Sequence, residues 1–134
     1  LYDRGITAFV VGYLGVAAVD NDVHQTTVTG GGSVFSGLGP FTLSYPFTDY
    51  ADRVTPTAAA EVDFTGGNGT AAAGRRASWG VTTLLTFPIE ALPSAGDRAT
   101  VLGAFLDHCA ASSGGIFADG FESGSTAAWT LVVP

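Results

Sequence analysis

Lysine and methionine are absent from this chain, and cysteine occurs once. Five arginines stand against twelve acids, for a formal net charge of −7. No basic stripe exists to attract a phosphate backbone, so nucleic acid is not an expected partner. The missing lysine also removes the phosphate loop: Gly32 and Gly37 have its outer spacing, but Leu38 stands where the motif needs lysine. Gly30, Gly31 and Gly32 do not continue to a further glycine at dinucleotide-binding spacing and read as turn residues. A lone Cys109 excludes an internal disulfide framework and a multi-cysteine zinc site. No apolar run approaches the roughly 18 residues of a membrane-spanning helix. Charged residues make up only 13% of the chain and hydrophobic ones 46%, which is apolar enough to fold, and 134 residues suit a single core.

The chain is organised around residues 79–109. Val81, Thr82, Thr83, Leu84, Leu85, Thr86 and Phe87 form a β-branched and apolar run without strict alternation, as expected of a strand covered on both faces. Pro88 stops it. Ser94 followed by Asp97 predicts a capped helix start, and Val101, Leu102, Phe105, Leu106 and Cys109 mark an apolar stripe. A first helix is predicted from Ile6, Phe9, Val10, Tyr13 and Leu14, with Gly15 ending it in a left-handed conformation. Between the two helices lie short predicted strands at 16–19, 23–28, 41–45 and 59–64, the third at an edge because Pro40 and Pro46 bound it. Residues 46–56 read as a surface loop, and Gly66-Gly67-Asn68-Gly69 as a turn. The expected fold is α/β: a partial three-layer sandwich with a mixed sheet and two packing helices over residues 1–110, then a Ser/Gly linker and a disordered tail over 111–134. The start at Leu1, with no signal-peptide pattern, suggests the C-terminal piece of a longer protein.

Candidate sites are sparse. No G-x-S-x-G occurs, and the histidines are His24 and His108. His108 and Cys109 are adjacent helix positions that do not face each other, so a Cys-His dyad is not expected; His108 should be exposed and Cys109 buried. Asp20 and Asp22 flank Asn21 as calcium loops alternate their oxygens, yet Val23 and His24 follow and no glutamate closes the loop. A solvated turn is the simpler reading, for these and for Asp49 and Asp52. Glu90 follows the organising strand, where ligands sit in open α/β sheets, but it equally caps the next turn. It is the weak catalytic candidate, and no metal or cofactor is expected. Asn68-Gly69-Thr70 matches a glycosylation acceptor. Tyr45, Tyr50 and Trp79 could form a carbohydrate-binding platform.

Two stretches carry a resemblance. Tyr13-Leu14-Gly15, the acids Asp20 to Asp22, residues 87–92 and Asp97-Arg98 resemble an α/β domain near the C-termini of secreted bacterial peptidases, similar in shape to class I glutamine amidotransferases and flavodoxin-like sheets. The resemblance implies an accessory domain whose partner is an upstream catalytic domain of the same chain. It also implies a non-catalytic copy, since no cysteine precedes Cys109 to serve as the nucleophile of that family. Phe117, Asp119, Gly120, Phe121, Glu122, Ser123, Gly124 and Trp129 resemble a terminal signature of exported gammaproteobacterial proteins, which implies secretion. The expected function is therefore a non-catalytic accessory domain of an exported hydrolase, most readily a peptidase. The alternatives are an extracellular surface- or carbohydrate-binding module and a truncated α/β enzyme using Glu90.

Overall fold

The computed structural model describes residues 5–112; the tail expected beyond them lies outside the described residues. The strands are β1 (Val16–Asp20), β2 (Thr27–Gly30), β3 (Phe41–Thr42), β4 (Arg53–Pro56), β5 (Glu61–Gly66), β6 (Gly69–Ala77) and β7 (Gly80–Leu85). The helices are a short α1 (Gly32–Phe35) and the long α2 (Ala95–Ser112).

Tight turns dictate the topology. Gly67-Asn68 joins β5 to β6 and Ser78-Trp79 joins β6 to β7, so Gly66 faces Gly69 and Ala77 faces Gly80. A two-residue loop returns the chain beside itself at once, and only antiparallel pairing results. Glycine at position 69 supplies the positive φ of 106° that the first turn uses. The larger sheet has the order β3-β2-β5-β6-β7, while β1 and β4 form a separate two-stranded ribbon. Every strand pair among the described residues is antiparallel.

The expected three-layer α/β sandwich with a mixed sheet is therefore corrected to antiparallel sheets, curled into a half-barrel, with one main helix. The physical reason is connection length, because a parallel crossover needs about a dozen residues or more. The organising run is half-buried with contacts on both faces, and it is the edge strand β7. Leu85 joins the core cluster of Phe35, Phe64, Phe87, Leu92 and Val101, and Leu84 joins the second cluster of Val10, Val16, Val54 and Ala73. Helix α2 covers the first face. The β1–β4 ribbon and the N-terminal helical turn cover the second.

That N-terminal turn, Val10–Leu14, is a π-helix, with the Gly15 N–H donating to Val10 O. Gly15 ends it at φ 71° as the sequence predicts, and its missing side chain is used: a Cβ there would lie 2.5 Å from Ala60 Cβ and 2.7 Å from Arg75 Cγ. The cap of α2 also forms as read, Ser94 Oγ accepting from Asp97 N–H at 3.1 Å and donating to Asp97 Oδ2 at 2.6 Å. The stripe of α2 is narrower than the spacing predicts. Val101 is buried and Phe105 half-buried, whereas Leu102 and Leu106 face outward.

Candidate functional site

Two features stand out on opposite faces of the larger sheet. The first is a polar cluster under α2. In the β5–β6 hairpin Glu61 lies opposite Gly74, and in the β6–β7 hairpin Gly74 lies opposite Thr83. Directly opposed residues share a face, so Glu61, Gly74 and Thr83 point the same way, together with Arg76 two positions along β6. A ladder irregularity between Val62 and Phe64 brings Asp63 to the same place. A Cβ on Gly74 would collide with Asp63 Oδ2, so glycine leaves the room in which the carboxylate and Arg76 meet.

Arg76 Nη2 donates to Asp63 Oδ1, and Arg76 Nη1 donates to Thr82 O at 2.6 Å. Asp63 is wholly buried. Burial raises its pKa above the ordinary 3.8, against the opposing pull of the neighbouring Thr83 hydroxyl and Arg76. Glu61 is shifted the other way. Its Oε2 accepts from Ser33 N–H at 2.7 Å and from Ser33 Oγ at 2.8 Å, and the backbone donor is the largest cause of its lowered pKa, with Arg76 contributing. A hydroxyl that donates to a weakly basic carboxylate is not activated as a nucleophile. Beside this cluster, a cavity of about 110 Å³, partly open to solvent, lies between α2 and the sheet, lined by Phe35, Thr83, Leu85, Val101 and Phe105. Asp63 Oδ2, Arg76 Nε and Thr83 Oγ1 are buried and make no hydrogen bond of normal geometry, although the Thr83 hydroxyl is near enough to Asp63 to pull its pKa down.

The second feature is an aromatic surface at the opposite face. Phe9 and Tyr13 lie one helical turn apart and stack with centroids 5.3 Å apart; Tyr13 meets Trp79, from the β6–β7 turn, at 5.0 Å. Arg75 lies 5.8 Å from the Trp79 ring and donates to Gly12 O at 2.6 Å, while Thr82 Oγ1 donates to Tyr13 O at 2.6 Å. These two bonds fix the helical turn to the sheet. The rings remain open to solvent, at 59%, 51% and 48% exposure for Phe9, Tyr13 and Trp79.

The residues singled out in the sequence fall elsewhere. Asp20 pairs with Arg53, Oδ2 lying 2.9 Å from Nη2. The Asp22 N–H donates to Asp52 Oδ1 at 3.1 Å. Asp22 and His24 hold φ of 53° and 56°. Among the described residues no group of three or more His, Cys, Asp or Glu is placed to hold a metal ion. Glu90 is exposed in a 3-10 turn, Ile89–Ala91, beyond β7. With an antiparallel sheet there is no shared carboxyl end of strands for it to flank. His108 and Cys109 are both half-buried, rather than one exposed and one buried.

Asn68 Nδ2, the nitrogen a glycan would join, instead donates to Val23 O at 2.8 Å and His24 O at 3.0 Å. The three-residue platform does not assemble as read. Tyr45 packs on the core and donates to Gln25 O at 2.7 Å, and it follows β3, at the opposite edge of the sheet from the turn carrying Trp79. Trp79 joins Phe9 and Tyr13 instead. The acids Glu61 and Asp63 and the arginines Arg75 and Arg76 were missed as site residues, although a hairpin centred on Gly67-Asn68 by itself sets Glu61 opposite Gly74, two residues from Arg76. Comparison of the chain with protein families, with curated proteins and with solved structures finds no match.

Proposed function

We propose that the chain is a non-catalytic accessory domain of an exported bacterial hydrolase, and that it holds neutral polysaccharide against the surface of Phe9, Tyr13 and Trp79. The observation that carries the reading is the contact of three half-exposed rings, drawn from two separate segments and fixed by the side chains of Arg75 and Thr82, which bond to backbone carbonyls of the helical turn. Large contiguous apolar patches on a soluble domain mark interaction sites. Aromatic side chains give such a site a rigid apolar body that loses little conformational freedom on binding, and tyrosine and tryptophan add a polar tip. The apolar faces of sugar rings fit that surface. Charge narrows the choice, since a chain with net charge −7 and no lysine repels acidic polymers. Export is supported by the resemblance at residues 117–129 to a terminal signature of secreted proteins.

Co-sedimentation with insoluble neutral polysaccharides, cellulose and chitin among them, tests the proposal. The wild-type chain is expected to leave the supernatant with at least one of them. Replacing both Tyr13 and Trp79 with alanine should weaken that binding by about thirtyfold or more, the loss expected when central aromatic anchors are removed. Full retention of the wild-type chain in solution with every such polymer rejects the reading.

A further inference from the structure

We infer that the cavity under α2 is a binding site for a small neutral alcohol, whose hydrocarbon part lies among Phe35, Leu85, Val101 and Phe105 and whose hydroxyl reaches Thr83 and the Asp63–Arg76 pair. The walls are apolar apart from Thr83. An apolar cavity of about 150 Å³ holds benzene, so this volume of about 110 Å³ suits a compact ring or branched chain of about five or six heavy atoms.

The polar end selects the head group. Asp63 Oδ2 and Thr83 Oγ1 are buried without a hydrogen bond of normal geometry, and Arg76 Nε meets only the Glu61 carboxylate, 4.0 Å away. They belong to one patch. Thr83 lies opposite Gly74 in the ladder, and Asp63 Oδ2 occupies the space over Gly74. A hydroxyl has one donor and two acceptor lone pairs. It can therefore donate to the carboxylate oxygen while accepting from the guanidinium or the threonine. A hydrocarbon leaves those atoms unmet, which is costly in a buried site. A carboxylate head would be repelled by Asp63 and Glu61, and an ammonium head would have to give up its water beside the Arg76 guanidinium, a cost that a neutral hydroxyl does not meet. The face is opposite to the aromatic surface, and the inference stands independently of polysaccharide binding.

Titration of the isotopically labelled full chain with cyclopentanol, followed by amide NMR shifts, is the test. The expected result is saturable shifts confined to the neighbourhood of Thr83, Leu85, Val101 and Phe105, with a dissociation constant of about 1–10 mM, as much as so few heavy atoms supply. Thr83→Val keeps the shape and removes the hydroxyl; it should weaken binding about fivefold, the size of one hydrogen bond. Val101→Phe fills the cavity and should abolish the saturable shifts. Shifts that stay linear to about 50 mM, well beyond the expected constant, overturn the inference. So does undiminished binding to the Thr83→Val chain, which needs no cavity-filling substitution to be interpreted.

Discussion

Phe64→Ala is expected to lower the stability of the fold by about 3–5 kcal/mol, the range for truncating a fully buried aromatic. Phe64 sits on β5, the middle strand of five, and has no exposed surface. Its ring lies 4.9 Å from Phe35 and 5.6 Å from Phe87, edge-on to the latter. It thus joins α1, the central strand and the segment that follows β7. Aromatic pairs of this geometry add about 0.5–1.5 kcal/mol each beyond area burial, and close packing around the site limits how far a cavity can collapse. Against a typical total of about 5–15 kcal/mol, the loss brings the chain close to unfolding at room temperature. Urea midpoints for the wild type and the variant measure it. Phe47→Ala, at an exposed position, is the control and should move stability by less than about 0.5 kcal/mol. Equal effects at the two positions would show that Phe64 is not in the core.

Arg76→Leu is the second large effect, again about 3–5 kcal/mol at neutral pH, because it leaves a buried carboxylate without its partner. The structure predicts a pH signature that a simple packing defect lacks. The pKa of Asp63 is already raised by burial, and removing the guanidinium raises it further. A carboxyl whose folded pKa is raised favours the folded state at pH below its unfolded value near 3.8; that contribution is lost as pH rises through the folded value. The cost of Arg76→Leu should therefore shrink as the solution is made acidic towards that value and grow again towards neutrality. Glu61 works in the opposite sense. Its lowered pKa gives stability above the ordinary glutamate range that is lost on acidification; the Ser33 donors that are its main cause remain in the variant, while the smaller Arg76 contribution goes with the guanidinium and changes the cost in the same direction. Unfolding curves of both chains across the acid range measure this pH dependence. A cost for Arg76→Leu that does not change with pH contradicts a charged Asp63 held by Arg76.

Local signals in this sequence were read correctly where a few neighbouring residues decide the outcome. Ser94 and Asp97 cap α2, Gly15 ends the first helical turn with a left-handed residue, and Phe41 lies on a short edge strand beside Pro40. Long-range pairing was not legible. β6 was missed because Ala71, Ala72, Ala73 and Gly74 have weak strand preference; they are small because they are buried within the sheet, and Gly74 because Asp63 and Arg76 need its space. β4 reads as loop in the sequence because its only buried residue is Val54 and its partner β1 is far away in sequence. Reading a run covered on both faces as part of a mixed α/β sheet fails for a related reason. An antiparallel edge strand acquires the same pattern when a helix covers one face and a separate ribbon covers the other.

The candidate sites followed the same division. Asp20 and Asp22 were visible as a local acidic pair, but the partner that employs Asp20, Arg53, comes from another strand. Trp79 was singled out as a binding residue and is exposed, yet its neighbours Phe9 and Tyr13 reach it from the first helical turn. Nothing in the spacing of residues 9, 13 and 79 announces that contact. It follows from the Ser78-Trp79 turn projecting the indole beside the helical turn held by Arg75 and Thr82.

The central claim is that Trp79 and its neighbouring rings form the binding surface, and the emission of that one indole is its most direct test. The chain has two tryptophans, Trp79 and Trp129, so Trp129→Phe leaves Trp79 as the only such fluorophore. Addition of a soluble neutral oligosaccharide, a hexamer of glucose or of N-acetylglucosamine, is predicted to change the Trp79 emission saturably, since a stacked sugar displaces water from an exposed ring. Unchanged emission at concentrations where the insoluble polymer retains the protein would contradict the account and place the binding surface elsewhere.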